Sequence, residues 1–149
     1  MKITFASVED ETKIKEVLTA GGLHHQDITP SHLQHFLVLK DDPSSTLTGV
    51  VGLELINNNA LLRSLAVIEP HRSKGLATQL LKEIEKYARS NQVDTLYLLT
   101  LTAERFFTKR GYRKTDRKSA PPAIQETAEF KSLCPATAVC MKKLLSIDN

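Results

Sequence analysis

The sequence predicts an α/β (α+β) fold, a mixed, mostly antiparallel sheet of about seven strands flanked by helices. Three observations predict it. Short apolar runs alternate with helical patterns along the whole chain. Three of those runs, at 36–39, 47–56 and 60–68, follow one another with no helix between them, which a doubly wound parallel sheet does not allow. Between 75 and 90, Leu76, Leu80, Leu81, Ile84, Tyr87 and Ala88 recur at three and four, the stripe of an amphipathic helix.

The elements follow in order. Residues 2–5 read as a strand. Ser7 caps a helix whose Val8, Ile14, Val17 and Leu18 share one face, and Gly21-Gly22 ends it. Thr29-Pro30 opens a short helix to residue 35, because Thr is a good N-cap and Pro is tolerated at the first helical position. The run 36–39 is a strand closed by the turn Asp41-Asp42-Pro43-Ser44. The next, 47–56, ends at Asn57-Asn58-Asn59, residues that tolerate the left-handed backbone of a tight hairpin, so 60–68 is its antiparallel partner. After the long helix come a strand at 95–99, a short helix at 102–109 stopped by Gly111, and a strand at 112–115. Ser119-Ala120-Pro121-Pro122 caps a helix through 133 with Ile124, Thr127, Phe130 and Leu133 on one side, and 137–144 closes the fold as a strand.

A chain of 149 residues, 41% hydrophobic and 25% charged, is long and apolar enough to bury a core as a single domain, 1–149, which excludes disordered and collagen-like classes. The net charge of +3 is too small to argue for nucleic acid but tolerates an anionic cofactor. No window approaches the ~18 consecutive apolar residues of a membrane helix, so a cytoplasmic enzyme or binding domain without membrane partners is expected. Cys134 and Cys140 are too few for a disulfide framework or a four-ligand zinc site and read as reduced thiols. His24, His25, His32 and His35 invite a metal reading. No carboxylate or third ligand is placed with them in the sequence, so no metal is expected.

The segment carrying chemistry is 62–77, Leu-Arg-Ser-Leu-Ala-Val-Ile-Glu-Pro-His-Arg-Ser-Lys-Gly-Leu-Ala, which runs from strand through turn to helix. A glycine at the helix start lets a ligand approach the backbone, and the unbonded N–H groups of the first turn, backed by the helix dipole, form a cradle for a diphosphate. Neither a nucleotide P-loop nor a dinucleotide G-x-G-x-x-G fingerprint is present. An ordinary strand–turn–helix with solvated Arg72 and Lys74 fits the same residues.

Arg72-Ser73-Lys74-Gly75-Leu76-Ala77 resembles the R/Q-x-x-G-x-G/A signature of the GNAT family of N-acetyltransferases, with Val67 on the preceding strand where that family usually has Val. Ala103-Glu104-Arg105-Phe106-Phe107-Thr108-Lys109-Arg110-Gly111-Tyr112 is similar to the family's A-x-x-x-Y-x-K-x-G-F segment. The resemblance implies a sheet splayed at its central strands and acetyl-CoA as cosubstrate. The diphosphate would lie on Arg72, Ser73, Lys74, Gly75, Leu76, Ala77 and Thr78, the pantetheine arm would pair with Leu65, Ala66 and Val67 and run beside 95–99, and Thr102, Phe106 and Phe107 would flank it. Phe106 equally reads as helix core. The implied reaction is direct attack of a neutral amine on the thioester, which needs a base for the amine's proton. Glu54, placed by alternation across the sheet surface from its apolar neighbours, is the candidate; a solvent-facing strand glutamate is the alternative. Many family members carry a tyrosine, thought to protonate the leaving thiolate, where this chain has Phe107; Tyr112 reads as core.

The blocks 62–67 and 98–112 look like the acetyltransferase domain of bacterial N-acetylglutamate synthases, and 122–141 is similar to small N-acetyltransferases encoded in arsenic-resistance operons. Both imply a small, amino-acid-like acceptor, with detoxification of an amino-acid analogue as the biological reading. Arg63 offers a bidentate fork for an acceptor carboxylate and Ser64 a further bond, unless Arg63 is a surface strand residue. The insert 116–136 is long for a link between adjacent strands, so it either walls the acceptor site or simply packs. A protein or peptide N-acetyltransferase and a non-catalytic acyl-CoA-binding module remain alternatives. Family members often dimerise, which leaves a homodimer open.

Overall fold

The computed structural model describes residues 1–41, 44–68 and 75–145. Its strands are β1 (Lys2–Phe5), β2 (Phe36–Lys40), β3 (Leu47–Ile56), β4 (Asn59–Val67), β5 (Thr95–Thr100), β6 (Arg113–Lys114) and β7 (Val139–Leu144). Its helices are α1 (Glu11–Ala20), α2 (Pro30–Leu33), α3 (Leu76–Ser90), α4 (Glu104–Thr108) and α5 (Pro122–Gln125). The strands form one sheet of order β1-β2-β3-β4-β5-β7-β6. The pairs β1–β2, β2–β3, β5–β7 and β6–β7 are antiparallel, whereas β4 and β5, joined through α3, pair in parallel over Asn59–Leu61 and Thr95–Tyr97. The mixed, mostly antiparallel sheet is the one the sequence predicts. Among the described residues no helix is long and apolar enough to cross a membrane.

The chain divides into two compact units, Met1–Glu54 with Arg63–Tyr87, and Leu55–Leu62 with Ala88–Asn149. In the first, Ile14, Val17 and Leu18 of α1, Ile28, Leu33 of α2, Phe36 and Val38 of β2 and Val50 of β3 form one buried cluster. Phe36 faces Gly52 in the β2–β3 register, and its ring occupies the space a side chain on Gly52 would need. On the other face of β3, Leu80 of α3 comes within 3.1 Å of where a Gly49 Cβ would stand. β3 is thus covered on both faces, and both glycines are there because a side chain or helix sits directly on the backbone.

In the second unit Leu61, Tyr97, Ala120, Ile124, Phe130 and Cys140 form a separate buried cluster. Neither cysteine is in a disulfide, and burial pushes the Cys140 thiol up to about 11.

Three expectations change. Val8 is exposed rather than on a core face: Ser7 N–H donates to Asp10 Oδ2 at 2.9 Å, which closes residues 8–10 into a 3₁₀ turn before α1 begins. The strand expected at 112–115 is reduced to two residues paired with Lys142 and Met141. The single helix expected through 133 breaks into α5 and a π-helical turn at Glu129–Leu133. There Thr127 Oγ1 takes the Ile124 carbonyl at 2.7 Å, while the Arg117 guanidinium binds the carbonyls of Phe130 at 2.8 Å, Cys134 at 3.0 Å and Pro135 at 2.8 Å. Side chains thus satisfy carbonyls that a continuing helix would have used.

Gly52→Ala forces the Phe36 ring to move and lowers unfolding stability by about 1–3 kcal/mol; combining it with Phe36→Leu recovers part of the loss, as denaturant titration of the single and double variants will measure.

Candidate active site

The side chains of Asp27, Glu54 and Arg63 meet in the first unit, although the chain separates Asp27 from Arg63 by 36 residues. Local structure explains how each arrives. Gly21 caps α1 and Gly22 turns left-handed at φ 72, so the Gly22 and Leu23 N–H groups reach back to the carbonyls of Thr19 at 3.0 Å and Leu18 at 2.9 Å. Thr29 then caps α2 with Pro30 in its first turn, and the buried Ile28 between these two fixed points anchors the loop that presents Asp27. Glu54 is two residues beyond Gly52 on β3 and so shares its face.

Arg63 reaches the same place through an irregularity. The β3–β4 turn occupies residues 57 and 58, and Ile68 N–H donates to the Thr48 carbonyl at 2.9 Å. From Ile56 back to Thr48 is eight steps and from Asn59 on to Ile68 is nine, so the stretch 59–68 holds one residue more than the stretch 48–56 that it faces. Ser64, at φ 62 within the strand, is the residue that absorbs it, giving a β-bulge. Bulges re-aim side chains.

The Arg63 side chain is 0% exposed, against 16% for Asp27 and 17% for Glu54. Its Nη1 donates to Asp27 Oδ2 and to Glu54 Oε2 at 2.7 Å, its Nη2 to Asp27 Oδ1 at 2.7 Å, and its Nε to Ser64 Oγ at 3.1 Å. This corrects the expectation that Arg63 and Ser64 hold an acceptor carboxylate: the fork is filled by the chain's own carboxylates, and Ser64 Oγ accepts from the same guanidinium. Burial works to raise the Asp27 pKa, but the hydrogen bonds and charge of Arg63 outweigh it and hold the carboxyl below its ordinary value.

A ring nitrogen of His32 lies within 4.8 Å of oxygens of both Asp27 and Glu54. The expectation that no carboxylate stands with the histidines is therefore overturned for His32. Thr29 N–H donates to His32 Nδ1 at 3.0 Å, so that nitrogen carries no proton, and Arg63 already brings a positive charge to both carboxylates. The arrangement is an ion-paired cluster. Of the other described histidines, His25 Nε2 is 2.9 Å from Thr19 Oγ1, and His35 Nδ1 shares a 2.7 Å hydrogen bond with Tyr87.

Of the remaining predicted residues, Arg72, Ser73 and Lys74 lie outside the described residues. Gly75 stands ahead of α3 at φ 76, and no atom of the described residues lies within 4 Å of where a Cβ would be. Gln79 N–H donates to the Gly75 carbonyl at 3.1 Å, and the first turn, with Leu76, Ala77 and Thr78, holds no acidic side chain. Leu65 and Ala66 are half-buried and Val67 is buried on β4. In the second unit, Thr102 is exposed, Phe106 lies under the Arg110 guanidinium at 3.7 Å, and Phe107 is buried edge-on against Phe106 and Tyr112. Tyr112 is core, as expected.

Residues 5–112 match the model of the acetyltransferase (GNAT) family. The chain belongs to the GNAT family. A curated relative, an uncharacterised N-acetyltransferase of Chlorobaculum tepidum, is 31% identical over 81 residues, 54% of this chain and 50% of that protein. The chain thus spans about half the length of the curated relative it matches. Among solved structures, N-acetylglutamate synthase of Neisseria gonorrhoeae, complexed with CoA and N-acetyl-glutamate, superposes with a TM-score of 0.84 at 20% identity over 97% of this chain and 35% of that one. The Rv2747 protein of Mycobacterium tuberculosis, crystallised with CoA, gives 0.82 at 18% identity, covering 98% of this chain and all of its own. These likenesses establish the GNAT fold.

Because the Asp27 pKa is lowered from 3.8, its unfolded form binds a proton first as pH falls. The stability it contributes is present above about 3.8 and is lost as pH drops through the lower folded value. Asp27→Asn is less stable than wild type at neutral pH, and the gap narrows below that point, as unfolding titrations across acid pH will measure.

Proposed function

We propose that this chain transfers the acetyl group of acetyl-CoA directly to the amino group of a small, amino-acid-like acceptor, with Glu54 as the base. The observation that carries the reading is the state of the two Glu54 oxygens. Oε2 is held by Arg63, while Oε1 has no hydrogen-bond donor among the described residues, so the carboxylate is oriented yet still able to take a proton. An amine as basic as lysine is protonated at neutral pH, and removing its proton costs about 4–5 kcal/mol, which a positioned base must meet.

Acetyl-CoA supplies the acetyl group as an activated thioester. The amino end of α3 suits its diphosphate: no described residue fills the space where a Gly75 side chain would stand, and no carboxylate of the first turn repels an anion. Gly75, Leu76, Ala77 and Thr78, with Arg72, Ser73 and Lys74 before them, would hold it; the β4 backbone at Leu65, Ala66 and Val67 would take the amide-rich arm; and Thr102, Phe106 and Phe107 would flank that arm. With phenylalanine at 107 and Tyr112 packed in the core, the thiolate departs as the anion or is protonated by water, a tolerable step for a thiol of pKa ~8.5.

The resemblance of 62–67 and 98–112 to N-acetylglutamate synthases and of 122–141 to arsenic-resistance-operon acetyltransferases supports a small acceptor, and with it detoxification of an amino-acid analogue. Since the Arg63 fork is filled, a carboxylate on that acceptor is recognised by other residues.

CoA-thiol release from acetyl-CoA, measured over free amino acids, phosphinic and arsinic amino-acid analogues and lysine peptides, tests the reading. Turnover is expected with a member of the first two classes; turnover confined to peptides overturns the acceptor class, and cofactor binding with no turnover points to an acyl-CoA-binding module. Glu54→Gln lowers kcat by about 10²–10⁴-fold with acetyl-CoA affinity retained. Gly75→Glu places a carboxylate and a strained backbone at the cradle and weakens acetyl-CoA binding by at least about tenfold in calorimetry.

A further inference from the structure

We infer that Asp27 is a positioning residue for the acetyl transfer, holding Arg63 so that Arg63 in turn orients Glu54. The inference rests on the reading of Glu54 as base. The two carboxylates around Arg63 are bound differently. Asp27 accepts with both oxygens, one from Nη1 and one from Nη2, so the planar fork is fixed at two points. Glu54 accepts with one oxygen, from the Nη1 that Asp27 already shares. Both Asp27 oxygens are thus engaged by Arg63, whereas one Glu54 oxygen has no donor among the described residues.

The division follows from the fork itself. A buried guanidinium seeks a bidentate carboxylate. With Asp27 removed, Glu54 is the carboxylate among the described residues still ion-paired to Arg63, and the fork turns to take both of its oxygens, closing the oxygen that receives the proton. Asp27 thus keeps Arg63 from consuming the base. Ser64 steadies the opposite edge through Nε, and the buried Ile28 and the Thr29–His32 cap hold the loop that carries Asp27.

The test is a set of variants assayed with acetyl-CoA and whichever panel acceptor turns over fastest, each first checked by circular dichroism and for acetyl-CoA binding. Asp27→Asn is expected to lower kcat by about 100-fold, the scale of a misplaced catalytic group, with the KM for acceptor and for acetyl-CoA nearly unchanged. Asp27→Glu, which keeps the carboxylate, should recover part of that loss. In a Glu54→Gln background Asp27→Asn should cost nothing further, because its effect passes through Glu54. A full additional loss in that background, or a loss appearing as a raised acceptor KM, overturns the inference; the latter would make Asp27 and Arg63 acceptor-binding groups. Inactive Glu54→Gln beside Asp27→Asn at wild-type kcat overturns the positioning role alone, whereas Glu54→Gln at wild-type kcat, or no turnover on any acceptor, overturns the base reading as well. Should Asp27→Asn not fold, Arg63→Lys decides: it keeps the charge but loses the fork, and is expected to lower kcat with KM unchanged, while wild-type kcat overturns the inference.

Discussion

A guanidinium removed from water is tolerable only where its charge and its planar set of donors are met, since an unpaired buried charge costs several kcal/mol. Arg63 is in that position, with a side chain out of contact with solvent. Meeting its demand brings a loop residue, Asp27, a strand residue, Glu54, and the bulged Ser64 to one point. The bulge, the capped loop and the carboxylate pair are therefore one structural fact.

The platform beneath is apolar and rigid. Phe36 lying on Gly52 brings β2 side chains flat against β3, and Leu80 close to Gly49 presses α3 onto the opposite face. Close-packed strands have few alternative arrangements, so a carboxylate mounted on β3 inherits the precision of the core. The Asp27 loop obtains comparable definition by other means: a left-handed glycine at one end, a threonine cap and proline at the other, and a buried isoleucine between.

The cofactor cradle proposed at Gly75 is built on another principle. It needs only a glycine in a left-handed conformation and the exposed amides of a long helix, both supplied by a few consecutive residues. Local devices of this kind leave a motif. A charge cluster assembled from Asp27, Glu54 and Arg63 leaves none, since any carboxylate delivered to the right place would serve.

That contrast explains what was legible in the sequence. The long helix, the hairpin at Asn57, the Gly21-Gly22 stop and the order of elements along the chain follow from periodicity and turn chemistry, which act over a few residues. The helix expected through Leu133 failed because Thr127 and Arg117 take its carbonyls, and Arg117 reaches that of Phe130 across a gap of 13 residues. The role given to Arg63 failed for the same reason: its neighbours in sequence are apolar and small, and nothing near it announces Asp27. By itself the sequence determined the fold class and the family, because these depend on short-range pattern, and it is from the same short-range pattern that the helix-start cradle is proposed. Which carboxylate holds Arg63, which one keeps a free oxygen, and where His32 stands were decided only when packing brought distant segments together, because ion pairing is set by distance in space and the chain order carries no record of it.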